Sequence, residues 1–337
     1  MFTNDKAVAH VFALEYIHRM HGGSQAKLVR CSDGRYYVIK FQNNPQGAKI
    51  LANELLGTLM ARRIGLPVPE PAIVEVYPQL VRHTEELVIE HVSTRVPCHS
   101  GLCFGSLYGN GQASLGRPAH TYDWLPDDQL QRVENLSEFL GMLAFDKWAG
   151  NADARQTIFV PAEPNQLPYR SYRVLMIDQG LCFNGANWNF LDIPRQGLCP
   201  RRAAYASVGG MEAFEPWLSR LDHDVCQDTL KQDGQEIPPE WYGGDAGSLA
   251  QLLASLDERR KRVGSFLQST RKAAEEFFPA WLCPRESPSA KHCLPVEEQM
   301  SLNHTLEAEN LNCAVACSRS KRRRKRGGFQ YLAHAGC

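Results

Sequence analysis

Runs of apolar residues, separated by short polar breaks, divide the chain into strand and helix patterns. In the N-terminal third, β-prone runs predict strands at 26–31, 36–42, 72–76 and 86–92. Ser32-Asp33-Gly34 joins the first two as a hairpin turn, because Asp-Gly tolerates positive φ. Helical spacing predicts a short amphipathic helix over 7–20 and a longer helix over 46–64, which Gly65 and the following prolines end.

The rest of the chain reads as mainly helical around two further strands. A helix is predicted from about 126 to 148, strands at 157–160 and 174–177, and helices near 210–220, 222–231 and 245–278. Residues 93–126 are rich in Gly, Ser and Pro and predict a mobile insert. Periodicity is lost from about 283 onward, which predicts a disordered tail. These patterns indicate an α+β protein with a β-rich N-terminal part and a helical C-terminal part.

Composition and charge narrow the function only slightly. The 337 residues contain 37 Lys plus Arg and 37 Asp plus Glu, so net charge indicates neither nucleic acid nor membrane. There is no run of eighteen apolar residues and no signal-peptide pattern, which predicts a cytoplasmic protein without membrane association. Eleven cysteines without CxxC spacing favour reduced thiols over disulfides or zinc. The basic run at 321–326 can bind nucleic acid or acidic lipid, but its place in the tail favours a solvated segment and no sequence-specific nucleic-acid binding.

Carboxylates and amides gather around the two strands in the middle of the chain. Asp146, Asn151 and Asp153 lie in a polar break just before the strand at 157–160, and Asp178 follows the apolar run 174–177 directly. Each of these residues alone is more often a helix cap or turn residue than a catalyst. Together, at the ends of two strands, they resemble a site for a metal ion and phosphates.

Lys40 is a charged residue inside an apolar strand. Such a lysine is costly unless its ammonium reaches water, as on an edge strand, or an anion. Glu54, in the helix that follows, is either its partner or an exposed helix residue. The segment 22–25 is either a flexible turn or a loop whose small residues let backbone N–H groups approach phosphate oxygens. The backbone C=O of Glu90 and N–H of Val92 suit the edge of adenine.

Five segments in this order resemble the HipA family of serine/threonine kinases, and most closely its short stand-alone branch. They are GGSQAKLVRCSDGRYYVIKF, NELLGTLMARRIGLPVP, ELVIEHV, GNADARQTIF and VLMIDQG, and the likeness covers about residues 20–185. The resemblance implies a bilobal protein-kinase-like fold, with a nucleotide-binding small lobe at 1–92, a helical catalytic lobe at 93–282 and the tail at 283–337. It also implies ATP and magnesium as cofactors and a Ser or Thr of a protein as phosphate acceptor.

The resemblance also assigns roles to residues by their position in the motifs. Lys40, paired with Glu54, would hold the α- and β-phosphates. The loop of Gly22, Gly23, Ser24 and Gln25 would cover them, and Glu90, His91 and Val92 would form the hinge that contacts adenine. Asp153 would be the catalytic aspartate and Asp178 the magnesium ligand.

One position departs from the family pattern. Kinases of this family carry an asparagine five residues after the catalytic aspartate, and this chain has Ile158 there. Gln156 is the expected substitute metal ligand through its amide oxygen, while Asp146 and Asn151 form an alternative pair with the same spacing. Asp146 ends a helical pattern, which favours a structural role.

Three functions therefore stay open. The leading hypothesis is an active kinase. Its first rival is a nucleotide-binding pseudokinase with a regulatory or scaffold role, which Ile158 favours, and the second is a kinase of a small molecule or lipid. The acceptor and the oligomeric state are left undetermined.

Overall fold

The computed structural model describes residues 7–109, 120–164 and 167–281, in which strands dominate up to residue 109 and helices dominate from residue 211 onward. The α+β class expected from the sequence is thereby confirmed. The predicted tail at 283–337 and residues 110–119 of the predicted insert lie outside the described residues. No helix in the described part of the chain is both long and apolar enough to cross a membrane.

Five strands of the N-terminal part close into a barrel. They are β1 (Ala9–Arg19), β2 (Lys27–Cys31), β3 (Tyr36–Lys40), β4 (Pro71–Val76) and β7 (Gly101–Leu107), in the order β1-β2-β3-β7-β4. β1 pairs with β4 in parallel, and the other neighbours are antiparallel. Closure gives each strand two neighbours and encloses an apolar core that includes Val29, Ile39 and Val74.

The first strand corrects the sequence prediction of a helix over 7–20. Along β1, Val11 and Ala13 face the barrel core while Phe12 and Leu14 are exposed, which is the period of two that a strand requires. The helix was predicted because the apolar residues of this short segment also fit helical spacing. Backbone hydrogen bonding to both β2 and β4 decides in favour of the strand.

The described parts of 93–126 contain regular strands that the composition did not predict. β5 (Val88–Glu90) and β6 (Arg95–Pro97) form a separate two-stranded sheet, and β7 lies in the barrel between β3 and β4. The barrel therefore extends past residue 92, where the sequence placed the end of the small lobe. Gly105 permits this packing, because a Cβ there would lie 2.5 Å from Cγ2 of Val74.

Helices and one hairpin make up the remainder. The helices are α1 (Lys49–Arg63), the short α2 (Pro78–Arg82), α3 (Glu138–Ala149), α4 (Glu215–Asp224), α5 (Gln227–Gln235), α6 (Ala246–Arg260) and α7 (Val263–Ala273). The hairpin pairs β8 (Gln156–Pro161) with β9 (Tyr172–Ile177). Short 3-10 segments lie at Asp127–Arg132, Cys182–Asn187, Arg202–Ala204, Met211–Phe214, Pro239–Tyr242 and Glu275–Phe277, the second of them interrupted by residues with non-helical backbone angles. One large apolar cluster joins α1, α3 and the C-terminal helices.

The helix predicted from 126 to 148 is interrupted. Val133 is extended and bridges to Tyr172, and the side chain of Asn135 bonds both backbone groups of Val174 at 2.9 and 3.0 Å. This segment thus follows β9 like a partial extra strand before α3 begins. These contacts with β9 are tertiary, so the local helical pattern gave no indication that they interrupt the helix.

The packing of α3 on α4 predicts the effect of an added methyl group. A Cβ at Gly141 in α3 would lie 2.1 Å from Nε1 of the buried Trp217. We expect Gly141→Ala to lower the free energy of unfolding by about 1–3 kcal/mol, as overpacking does. Gly264→Ala in α7 is the matched control, because its Cβ would meet only Cε of Met211, at 3.7 Å. That variant should be neutral or more stable by up to about 1 kcal/mol. Equal denaturant midpoints for the two variants would contradict this packing.

Candidate active site

A cavity of about 480 Å³ lies where the barrel meets α1 and the β8–β9 hairpin. Barrel residues contribute apolar side chains such as Ala26 and Val38, and the hairpin contributes Ile158 and Met176. Polar groups line another part of the wall, among them Lys40, Glu54, Arg155, Gln156 and Asp178. The cavity therefore offers an apolar slot together with a charged surface, a combination typical of small-molecule sites.

Lys40 is held by two carboxylates from different elements. Its Nζ donates to Oε1 of Glu54 in a short contact and to Oδ1 of Asp178 at 2.8 Å. The side chain of Lys40 is only 9% exposed, so the strand lysine does not simply reach water. Burial lowers the pKa of Lys40, but Glu54 and Asp178 outweigh that effect and raise it. The lysine is therefore a fixed cation, and Glu54 is its partner rather than an exposed helix residue.

Glu54 also anchors the turn that follows β9. Its carboxylate accepts the backbone N–H groups of Gln179 and Gly180 at 3.0 and 2.9 Å. A glycine is needed in this turn, because a Cβ at position 180 would lie 2.6 Å from Cγ2 of Ile50. Asp178 itself has a φ of 62°, a left-handed conformation that is unfavourable for a residue with a side chain. The surrounding contacts hold the aspartate in this conformation.

The carboxylate of Asp178 is ionised. Burial opposes ionisation, but the ammonium of Lys40 outweighs it, and the pKa of Asp178 is lowered. Its side chain remains 30% exposed, in contrast to the 2% of Glu54. Asp178 is consequently the carboxylate of this pair that remains open to a ligand.

Arg155 fixes the same turn from the other side. Its guanidinium donates to the carbonyls of Ile177 and Asp178 at 2.7 and 3.3 Å, and it pairs with both carboxylate oxygens of Asp146. The side chains of Arg155 and Asp146 are both 0% exposed. Asn151 adds a hydrogen bond to Asp146 at 3.0 Å. This buried pair ties the end of α3 to the backbone of Asp178, and the sequence offered no signal for Arg155.

Asp146 and Asn151 are thereby excluded as the alternative ligand pair for this cavity. They line a second, smaller cavity of about 250 Å³, together with Lys147 and Arg259, and do not line the one that contains Lys40. The expectation that Asp146 pairs structurally at its helix end agrees with this geometry. Gly150 ends α3 in a left-handed conformation and directs the chain into the loop that contains Asp153.

Asp153 is exposed and lies beside the cavity. Its backbone is fixed on both sides, since its N–H donates to Oδ1 of Asn151 at 3.1 Å and its C=O accepts from Gly197 at 2.8 Å. Its Oδ2 lies 3.4 Å from Nε2 of Gln156, a residue that lines the cavity. Asp153 therefore has an accessible carboxylate at the edge of the site.

The glycine loop reaches the cavity only in part. Gly22 and Ser24 line it, whereas Gly23 and Gln25 are not among its wall residues. The side chain of Gln25 turns towards β5, where it donates to the carbonyl of Glu90 at 2.6 Å and accepts its N–H at 2.8 Å. Gln25 thus pins the loop to the neighbouring sheet.

The assignment of the hinge to Glu90, His91 and Val92 is corrected. None of the three lines the cavity, and Val92 is fully exposed. Gln25 occupies the backbone groups of Glu90, and the side chain of Glu90 pairs with Arg19 and Arg95. Residues 106–109, at the end of β7, line the cavity instead. The error follows from missing β7, because the strand at 86–92 was then the last one visible before the helical part.

Oxygen donors for a metal ion are sparse here. The described residues contain no group of three or more His, Cys, Asp or Glu placed to hold a metal. Asp178 and Gln156 both line the cavity and supply carboxylate and amide oxygens. Ile158, at the position of the expected asparagine, also lines it and provides only hydrocarbon.

The buried pair of Asp146 and Arg155 predicts a large loss of stability on neutralisation. Asp146→Asn leaves the Arg155 cation without a carboxylate, which we expect to cost about 3–5 kcal/mol of unfolding free energy. Asp222→Asn is the control, because Asp222 pairs with Arg260 at 3.4 Å while 64% exposed, and its loss should cost less than about 1 kcal/mol. Chemical denaturation measures both. Similar midpoints for the two variants would show that Arg155 does not depend on Asp146.

Comparisons with known structures give distant similarities. The crystal structure of a Helicobacter pylori proinflammatory kinase CtkA aligns with a TM-score of 0.48 and 11% identity, over 80% of this chain and 98% of that one. The Golgi casein kinase with Mn/ADP bound aligns with a TM-score of 0.42 and 10% identity, over 84% and 78% of the two chains.

Comparison with protein sequences identifies the family. No curated protein matches the chain significantly. The sequence profile described as HipA-like kinase matches residues 14–190, more than half of the chain. This span contains Lys40, Glu54, Asp153 and Asp178, the residues that the structure brings to the cavity or to its edge. The chain belongs to the HipA-like kinase family.

Proposed function

We propose that this protein is an ATP- and magnesium-dependent kinase that transfers a phosphoryl group to a serine or threonine hydroxyl of a protein. The observation that carries the proposal is the contact of Lys40 with both Glu54 and Asp178 at the wall of the cavity. An ammonium has three donors, and two of them are used here. The third is available for a phosphate oxygen, which is the role of the corresponding strand lysine in kinases.

The apolar slot is the proposed place for adenine. Ala26 and Val38 from the barrel and Met176 from the hairpin provide its apolar surface, and residues 106–109 take the place of the hinge. The loop with Gly22 and Ser24 is close enough to line the same cavity, so its backbone can approach the phosphates.

Charge balance supports the need for a divalent cation. One ammonium, that of Lys40, faces the two carboxylates of Glu54 and Asp178, and Arg155 is neutralised by Asp146. A polyanionic triphosphate therefore meets no excess positive charge from Lys40 and Arg155. Asp178 and Gln156 would hold the magnesium ion, whose remaining ligands would be phosphate oxygens and water, as magnesium prefers. When bound, the ion supplies the positive charge that stabilises the transferring phosphoryl group.

Asp153 is the proposed catalytic residue. Its carboxylate is exposed and its backbone is fixed by Asn151 and Gly197, so it is positioned before a substrate arrives. In this role it accepts a hydrogen bond from the acceptor hydroxyl, orients the oxygen towards the phosphorus, and takes up the proton as the bond forms.

Ile158 supports a second candidate, a pseudokinase that binds nucleotide without transferring phosphate. The hydrocarbon side chain at this position removes one expected metal ligand from the cavity wall. The deciding experiment is phosphate transfer from γ-labelled ATP to protein acceptors, with and without magnesium, alongside direct nucleotide binding. Transfer that requires magnesium supports the kinase. Binding without transfer to any acceptor supports the pseudokinase.

Removing the ammonium of Lys40 should weaken nucleotide binding. We expect Lys40→Met to lower ATP affinity at least tenfold, or about 1.4 kcal/mol, because the phosphate contact is lost. The matched control is Lys27→Met, since Lys27 is equally buried in the adjacent strand β2 but does not line the cavity. Calorimetric titration with ATP measures both, and melting curves confirm that each variant is folded. Unchanged affinity in Lys40→Met would refute the assigned role.

Asp153 and Asp178 should differ in which step they affect. Asp153→Asn should keep magnesium–ATP affinity while transfer falls by two or more decades, which corresponds to roughly 3 kcal/mol or more of barrier. Asp178→Asn should lower both magnesium-dependent binding and transfer, because it removes the metal ligand. Asp128→Asn, exposed and outside the cavity wall, serves as control. Normal transfer by Asp153→Asn would show that another group orients the hydroxyl.

A further inference from the structure

Arg201 is the least neutralised cation of the cavity wall. Among the described residues, the wall contains the cationic side chains of Lys40, Arg155 and Arg201. The first two face carboxylates that are largely or wholly buried, whereas within the described residues Arg201 forms one ion pair, with Asp127 at 2.8 Å, and Asp127 is 74% exposed. Solvent screens such an exposed partner, so most of the charge on Arg201 is left without a counterion.

The guanidinium of Arg201 is also incompletely hydrogen-bonded. Its Nη2 donates to the carbonyl of Leu125 and to Asp127. Its Nε is buried and has no acceptor within the described part of the chain, although the side chain is only 9% exposed. A buried donor without a partner is unfavourable.

Two aromatic rings hold the guanidinium in place. The ring centre of Phe159 lies 5.8 Å from its Cζ and that of Trp124 lies 5.5 Å away. Phe159 is fully buried, while Trp124 is 63% exposed and lines the cavity. The guanidinium thus packs against both rings at the cavity wall, where a charge-assisted hydrogen bond to an anion would be strong.

The backbone places Arg201 on the acceptor side of the site. Four residues before it, the N–H of Gly197 donates to the carbonyl of Asp153 at 2.8 Å. Between them Leu198 and Cys199 are buried, and the N–H of Cys199 donates to the hydroxyl of the buried Tyr205 at 3.2 Å. The segment that carries Arg201 is therefore fixed to the proposed catalytic residue, whereas the nucleotide phosphates belong to Lys40.

We propose that Arg201 forms an anion subsite for the acceptor, so that the preferred substrates are peptide segments with an acidic group close to the phosphorylated hydroxyl. A carboxylate or a phosphate offers the planar or tripodal set of oxygens that a guanidinium binds best. This inference rests on the proposed kinase function. It adds a substrate class that the contacts of Lys40, Asp153 and Asp178 do not define.

The test uses peptides that differ in one charge. A single serine is flanked by neutral residues, and one Asp is moved through the neighbouring positions. At the best position the Asp peptide is compared with Asn, Lys and phosphoserine peptides. The Asn peptide isolates the charge, and the phosphoserine peptide distinguishes a carboxylate from a phosphate as the natural anion. Steady-state transfer gives kcat and KM at saturating ATP, and fluorescence anisotropy gives peptide binding independently of transfer.

Three variants of the full chain separate a binding role from a structural one. Arg201→Gln removes the charge, and Arg201→Lys retains it without the forked donors. Arg202→Gln is the matched control, because Arg202 is exposed, lies over the ring of Phe277 at 5.5 Å and does not line the cavity. Melting curves and ATP affinity are measured for each variant. The comparison of peptides on the unmodified protein needs no variant, so it stands even if Arg201→Gln fails to fold.

We expect the unmodified protein to bind and phosphorylate an acidic peptide with a KM roughly ten- to a hundredfold below that of the Asn peptide, the range of a charge-assisted contact. Arg201→Gln should abolish this preference and Arg201→Lys should retain part of it, whereas Arg202→Gln should leave the preference, kcat and ATP affinity unchanged. Equal KM values for the Asp and Asn peptides, or an equal loss in Arg202→Gln, would overturn the subsite.

The outcomes also separate this inference from the kinase proposal. Transfer without any charge preference would leave the kinase function standing and refute the subsite. Binding of acidic peptides that depends on Arg201, with no transfer to any of them, would support the subsite and count against the kinase function. Absence of both would refute the subsite as well.

Discussion

A single buried ammonium determines the geometry of the cleft. Lys40 comes from the barrel, Glu54 from α1 and Asp178 from the turn after β9, and their contacts join three elements that are distant in sequence. Burying three charges is unfavourable unless each has additional hydrogen bonds or some contact with solvent. Here Glu54 has the additional hydrogen bonds and Asp178 is partly exposed. Glu54 accepts two backbone N–H groups in addition, so the same side chain that holds the lysine also shapes the turn that presents Asp178.

A second buried network meets the first at Asp178. Arg155 binds the carbonyl of Asp178 while Lys40 binds its carboxylate, and Asp146 and Asn151 hold Arg155 from the end of α3. The left-handed φ of Asp178 is thus maintained by contacts on both its backbone and its side chain. Such preorganisation matters in a site where the protein acts through positioning and electrostatics, because little needs to rearrange when charge develops on the substrate.

Local patterns predicted the parts of this site that depend on local structure. The strand that contains Lys40, the hairpin turn before it, the helix with Glu54 and the apolar run that ends at Asp178 all follow from periodicity, and the family resemblance joined them. Contacts between distant segments were not accessible in the same way. β7 was missed because Gly105 suggested a loop, and only the close approach of Val74 in the folded chain explains this glycine. The hinge was therefore predicted at Glu90, which does not line the cavity. Arg155 gave no signal, because its role depends on the fold bringing Asp146 and the turn at Asp178 together.

The charge balance also determines which observations distinguish an active kinase from a pseudokinase. With Lys40 facing two carboxylates and Arg155 fully paired, this end of the cavity has no surplus cation for a triphosphate. A regulatory protein that binds nucleotide here would meet the same deficit and would need a divalent ion as much as an enzyme would. Under either proposed function we therefore expect nucleotide binding to depend on magnesium, as a consequence of the Lys40 contacts. Ile158 has a different effect, because it lowers the number of oxygen ligands that could hold the ion beside the phosphates. The two functions consequently separate only at the transfer step, where the placement of the ion and of Asp153 must both be correct.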